Sequence, residues 1–417
     1  MAQDQPDANP KTRASQRELA KRIHNWFQLI PKGFPPIRVE EMLKNLQCGE
    51  EETVLDPFAG EGTTIIECQL KNIHSYGIEL NPFIYFVCKA ISNWQLDASR
   101  AESLLGEIQA RFKVLKDQVT FETLERFGLK LPLIDRPLTW WREDVLVDLL
   151  ILKHAIAEAE KSYADFYLLT LAATLVPDLT NVKLDGYKMF KADRAADKID
   201  VLETFTNKAL SMLEDLSELN ALGITGQSEL FNADATHAAG LKLDREINCI
   251  ITGPPYPERY SYVWVTMPHL YLFDYIDHPR QASSIDESSI GGTWGSATFN
   301  LAKEEIKPAY PVIENVVGPL AEKIRKEDKL TANFVMKYFN LLAKQIMEVE
   351  KMPHRNLRAA YHVGYSKLQG VLVETDVLLA QIFEGLDVGY KVRNIQDVGH
   401  LFAETDLREA IVYVWKE

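Results

Sequence analysis

The chain is poor in cysteine: four (Cys48, Cys68, Cys88, Cys249) in 417 residues, far apart and with no CxxC pair. That spacing argues against a disulfide framework and against a zinc site, so no metal is expected. Long apolar runs are also missing. The longest stretches, such as FYLLTLAATLV at 166–176, fall short of the roughly 20 residues a membrane crossing needs. The N-terminal MAQDQPDANPKTRASQRELAKR has no apolar centre for a secretory signal, so residues 1–22 read as a flexible tail leading into a helix, with the cytoplasm as the expected address. Nor is there an excess of positive charge. Sixty acidic side chains against 46 basic ones give a net charge of −14, which predicts weak nonspecific attraction to nucleic acid unless the basic residues are segregated. With no repeat and no low-complexity tract either, organisation must be read from periodicity and punctuation.

What is present is ordinary for a soluble globular protein, 46% hydrophobic and 25% charged, and long enough for two to three domains at roughly 150 residues each. TVLDPF at 53–58 is a short apolar run ending at a proline, followed by Gly60, Gly62 and the helical TTIIECQL: strand, tight turn, helix. A second strand is expected in SYGIELN at 75–81, then a buried helix in FIYFVCKAIS. Over 96–225 the apolar spacing becomes helical, as in 145–160 and 201–216, and predicts a helical insertion. INCIITG at 247–253 restores strand texture, and GPPYP after it forces an extended turn. The serine-rich 277–300 reads as a loop; a helix with an apolar stripe at Phe334, Tyr338, Leu341 and Leu342 follows, then strand RAAYHVG, helix TDVLLAQIFEGL and two closing strands. Alternating strands and helices imply an α/β fold, a doubly wound, mostly parallel sheet whose end is antiparallel. The expected parts are a tail (1–22), three core pieces (23–95, 226–262, 334–417), the helical insertion (96–225) and a loop-rich insertion (263–333) that is a candidate for target recognition.

In DPFAGEGTT the glycines allow a sharp turn out of the first strand and close approach of a ligand to a helix N-terminus. Glu79 lies 19 residues beyond Gly60, at the end of the next strand, where a doubly wound fold places a carboxylate to accept hydrogen bonds from ribose hydroxyls. Asp234 in FNADATH precedes the third motif-bearing strand and offers an acceptor for an adenine amino group. ITGPPYPERY is a rigid turn with an aromatic face at the carboxyl end of a buried strand, where open α/β sheets bind ligands.

The combination DPFAGEGTT, GIELNP, NADAT and TGPPY resembles the S-adenosylmethionine-dependent amino-methyltransferases that act on exocyclic nitrogens of DNA bases. KGFPPIRVEEML, TNVK, YHVGYSKLQGVLVETD and LREAIVYVW resemble site-specific DNA methyltransferases whose proline motif usually reads TSPPY. The resemblance implies a Rossmann-like class I methyltransferase fold. It implies S-adenosylmethionine held by Phe34, Pro35, Asp56, Pro57, Phe58, Gly60, Gly62, Glu79, Asn81 and Asp234, with Gly253, Pro254, Pro255 and Tyr256 receiving a flipped-out base. The target would be N4 of cytosine ahead of N6 of adenine, the partner DNA, and a restriction or defence-system protein a further partner. An RNA amino-methyltransferase and a non-catalytic cofactor-binding subunit of a larger assembly are the alternatives. DNA-contact candidates are Lys183, Lys188, Lys191 and Arg194 in the insertion and Arg259 and Tyr260 beside the cleft, while Trp294 reads first as a loop anchor. One position departs from the pattern: Gly253 stands where the family has Ser, Asp or Asn, whose side chain accepts a hydrogen bond from the target amine. Restoring serine there is expected to raise turnover.

Overall fold

The computed structural model describes residues 10–29, 33–185, 188–258, 260–293, 295–400 and 405–417. Eleven strands are present in the described residues: β1 Thr53–Asp56, β2 His74–Glu79, β3 Val182–Asp185, β4 Lys188–Lys191, β5 Ser228–Asn232, β6 Ile247–Thr252, β7 His354–Gly364, β8 Ser366–Leu368, β9 Val371–Val373, β10 Tyr390–His400 and β11 Arg408–Lys416. Seven form one sheet in the order β10-β11-β7-β6-β1-β2-β5. Six of these run in the same direction, and β11 inserts antiparallel between β7 and β10. The central strands β1 and β6 are covered on both faces, so TVLD and INCIIT are near-continuous apolar runs rather than alternating ones. At the edge, β5 is half exposed, with no buried residue in SELFN, and its pattern gave no strand signal.

Between β1 and β6 the direction of winding reverses. The chain moves outward through β2 and β5 and returns to the other side of β1, leaving a crevice at the carboxyl ends of β1 and β6. Asp56, Glu79 and Tyr256 line it.

The insertion is mostly helical, with helices Ala98–Lys116, Glu143–Ala157, Lys161–Leu175 and Val201–Leu222, but it also carries the β3–β4 hairpin. It is no separate lobe, because Leu149, Phe166 and Phe205 share one core with Phe83 and Val87 of the helix Pro82–Ile91. The stretch expected as a tail is helical from Pro10 to His24. Leu19 and Ile23 are buried, and Arg22 Nε and Trp26 Nε1 both donate to Asp215 of the last insertion helix, at 2.6 and 2.8 Å. Docking onto a partner helix, invisible in the polar sequence, is what orders it.

The loop expected over 277–300 is a second correction: helices span Pro279–Ser288 and Ser296–Lys303. The first starts with a capping box, His278 accepting from Arg280 N while Gln281 reaches back to the His278 N–H, and Pro279 occupies the first helical turn. Serine content hid these start signals. The cysteines bring a third difference. Cys48 and Cys249, distant in sequence, meet beside Glu52 with their ligand atoms within 4.8 Å of one another, while Cys68 and Cys88 are buried separately. No helix among the described residues is long and apolar enough to cross a membrane.

Candidate active site

The first wall of the crevice is the turn after β1. Asp56 ends that strand, is 1% exposed, and accepts from the Phe58 N–H at 3.0 Å and from Thr252 Oγ1, at the end of β6, at 2.5 Å. Burial outweighs these donors and pushes its carboxyl up to about 6. Gly60 and Gly62 both have positive φ, +54° and +94°; a Cβ on Gly62 would also lie 2.9 Å from Cys88 Sγ. The turn thereby delivers the N-terminus of Thr63–Leu70 to the crevice.

Glu79 ends β2 one strand over. Its two carboxylate oxygens accept from the Gly60 N–H at 3.1 Å and the Asn81 N–H at 2.7 Å, and burial raises its carboxyl to about 7. Each oxygen keeps a second lone pair. Asn81 lines the same cavity, but its side chain caps the next helix through Phe83 N at 3.1 Å and donates to Thr266 at 3.0 Å. Asp234, after β5, caps a short turn through Thr236 N at 2.8 Å and holds His237 Nδ1 at 2.9 Å, with its residue on the cavity wall.

The opposite wall is the segment after β6. Gly253, Pro254, Pro255 and Tyr256 line the cavity, and Tyr338 from the long helix Lys329–Glu350 donates to the Pro255 carbonyl at 2.7 Å, which fixes the turn. The Tyr256 hydroxyl donates to Glu409 Oε1 at 2.7 Å and lies 3.3 Å from His362 Nδ1. Its ring rests on the end of β7 at Gly364, where a Cβ would come within 2.4 Å of it. Ile285, Ser288 and Ile290 from the segment expected as a loop complete this side.

One cavity therefore gathers Phe34, Asp56, Pro57, Phe58, Gly60, Glu79, Asn81, Asp234, Gly253 to Tyr256 and Tyr260. Pro35 caps the helix Pro36–Asn45 and does not line it, and Gly62 acts through the turn. Lys183 and Lys191 are exposed on the β3–β4 hairpin, away from the lining. Arg194 holds the insertion together instead, donating to the carbonyls of Pro177 and Asp178 at 2.6 and 2.7 Å. Arg259, Trp294 and the Lys188 side chain lie outside the described residues.

His362 and Glu409 escaped the sequence reading. A lone histidine in RAAYHVG and a lone carboxylate opening EAIVYVW, each on an apolar strand, were the available signals. One expectation about Gly253 meets a steric obstacle. A Cβ there would meet Phe34 Cδ1 at 2.7 Å and Cε1 at 2.9 Å, so the site as folded has no room for the serine expected to improve it. The lining holds five carboxylates (Asp56, Glu61, Glu79, Asp234, Glu258) and, among the described residues, no lysine or arginine. It suits a ligand carrying positive charge.

A family model described as DNA methylase matches residues 6–89. Over 401 residues the chain is 21% identical to the Type II methyltransferase M.MvaI of Kocuria varians, covering 89% of this chain and 82% of that protein. It is 23% identical over 282 residues to M.BsoBI of Geobacillus stearothermophilus (61% and 53% covered), and 22% identical over 383 residues to M.MjaII of Methanocaldococcus jannaschii (72% and 70% covered). Among solved structures, the rRNA methyltransferase aviRa from Streptomyces viridochromogenes aligns over 92% of this chain and 86% of its own at a TM-score of 0.32 and 11% identity. With a mostly parallel sheet closed by an antiparallel strand, this is a methyltransferase enzyme with S-adenosylmethionine as its methyl donor. Its sequence likenesses are to a DNA methylase family model over residues 6–89 and to Type II methyltransferases over most of the chain.

The residues present fit that donor. A buried carboxylate with unused lone pairs at the end of β2 matches a ribose diol, and an acidic lining matches a sulfonium and an ammonium.

Proposed function

We propose that the enzyme methylates an exocyclic amino group of a base flipped out of DNA, N4 of cytosine ahead of N6 of adenine, in the crevice between Asp56 and Tyr256. The observation that carries this reading is the convergence of four sequence-distant segments, ending at Asp56, Glu79, Asp234 and Tyr256, on one cavity at the reversal point of the sheet. Bound there, S-adenosylmethionine supplies an electrophilic methyl group. Glu79 accepts from the ribose hydroxyls, Asp234 from the adenine amine, and Asp56, Phe58 and Gly60 bound the methionine end.

A base in a duplex cannot reach this depth, so it is flipped at a cost of a few kcal/mol and laid on the Tyr256 ring. Glu409 and Gly364 keep that ring in one orientation before the base arrives, and Tyr338 keeps the proline turn in place. The exocyclic amine then attacks directly, and positioning with electrostatics supplies the acceleration. The acidic lining cannot hold phosphates, so DNA must be gripped elsewhere. Lys183 and Lys191 on the β3–β4 hairpin, flanking a Phe190 that is 48% exposed, are the proposed backbone contacts, with the segment 263–333 facing the target.

The test is transfer of labelled methyl from S-adenosylmethionine to duplex DNA and to tRNA, followed by mass analysis of the product nucleosides. Methylated cytosine or adenine amine in DNA alone is expected; label only in tRNA, or only at carbon, refutes the reading.

A further inference from the structure

Position 253 has no side chain to accept a hydrogen from the target amine, and Phe34 fills the space one would need. The neighbouring strand brings a different acceptor. β6 and β7 are parallel with Thr252 opposite Tyr361, so the residues next in line, Gly253 and His362, project from the same face about 5 Å apart. The His362 carbonyl lies 3.6 Å from the Cβ that Gly253 lacks, and the imidazole packs 5.5 Å, centroid to centroid, from the Phe34 ring. His362 lines the same cavity as Gly253, Pro254 and Tyr256 and is 1% exposed.

Hydrogen bonding selects its tautomer. The Tyr256 hydroxyl hydrogen goes to Glu409, so at 3.3 Å the tyrosine oxygen can only accept from His362 Nδ1–H. Nε2 is left with a bare lone pair, without a hydrogen-bond partner among the described residues and closed off as folded, so a target amine reaches it only when a packed neighbour such as the Phe34 ring moves aside. A buried acceptor without a partner calls for an explanation in a folded protein. Burial holds the ring neutral, lowering its pKa to about 4; Glu409 from β11 and Glu41 oppose the shift, and Arg38 reinforces it.

Resting on the amine-methylation reading above, we propose that His362 is a catalytic residue whose Nε2 accepts a hydrogen bond from the target amine and then takes its proton. As the nitrogen lone pair forms the new N–C bond, the S–C bond breaks and its electron pair stays on sulfur. The nitrogen, now positive, loses one proton to Nε2 and keeps the electrons of that N–H bond. The imidazolium so formed is held through Tyr256 toward Glu409 and returns its proton to water once the product leaves.

The experiment compares single-turnover methylation of duplex DNA by wild type, His362→Leu, His362→Gln and His362→Ala, the last with and without added imidazole. Cofactor binding by calorimetry and thermal melting establish that each variant is folded. His362→Leu is expected to lose about 10²–10³ in rate with cofactor affinity unchanged. His362→Gln, which keeps an acceptor, should recover part of the loss, and imidazole should recover part of the loss in His362→Ala. A folded His362→Leu that methylates at the wild-type rate overturns the proposal alone. So does a loss that neither glutamine nor imidazole restores, since the histidine would then act only through packing. A wild type that transfers no methyl to DNA removes the amine-methylation reading and this inference together.

Discussion

Replacing Gly253 by serine separates two accounts of this site. By motif alone the substitution supplies an amine acceptor and accelerates the reaction about 10²–10³-fold. By geometry it inserts a Cβ at 2.7 and 2.9 Å from two Phe34 ring carbons, where carbon atoms prefer about 3.5–4.0 Å. The ring must retreat by close to 1 Å, away from a position it shares with His362 and the wall of the cofactor cavity. Overpacking of this kind costs about 1–3 kcal/mol. Gly253→Ser is therefore expected to lower the melting temperature by a few degrees, weaken S-adenosylmethionine binding and slow methyl transfer. Adding Phe34→Ala opens the space, so the double variant should be less destabilised than the two single effects summed, with a coupling of about 0.5–3 kcal/mol. Melting curves, calorimetric titration with the cofactor and single-turnover rates of the four proteins measure this. A Gly253→Ser protein that melts with wild type and methylates faster would refute the steric argument and restore the motif's.

Glu79→Ala should weaken S-adenosylmethionine binding by about 1.5–3 kcal/mol, read by calorimetry; unchanged affinity removes Glu79 from the site. Because burial raises Glu79 to about 7, it is largely protonated below that pH, and ribose donors must expel the proton to bind the carboxylate. Cofactor affinity should climb by up to about tenfold per unit as pH rises toward 7, and Glu79→Gln should flatten that slope, leaving the contribution of Asp56 near 6. Without cofactor the same raised carboxyl makes the fold lose stability as pH rises from 4.5 through about 7, which pH-dependent melting would show. Gly364→Ala should push the Tyr256 ring off its seat and raise KM for DNA with cofactor binding kept; an unchanged KM would mean the ring's seat is unimportant. Lys183→Ala with Lys191→Ala should reduce the slope of log affinity against log salt by roughly 1.8, and an unchanged slope takes the hairpin out of the DNA interface.

The sequence by itself determined what depends on neighbours along the chain. Alternation of strands and helices, the glycine turn after β1 and the proline turn after β6 are local, set by backbone sterics and periodicity. It also marked Glu79, Asp234 and Tyr256 as candidates, because a doubly wound sheet fixes where strand ends go, while Asp56 came from the family resemblance. Tertiary structure decided what depends on residues far apart. The polar helix Pro10–His24 is ordered by Asp215, 193 residues from Arg22, and edge strand β5 by pairing with β2. Phe34 filling the place of a side chain at 253, and Glu409 with His362 fixing both Tyr256 and the histidine tautomer, arise only once β6, β7 and β11 lie side by side. A motif records which residues sit at a strand end; steric room and the direction of a proton in a hydrogen bond are properties of neighbours that only folding supplies.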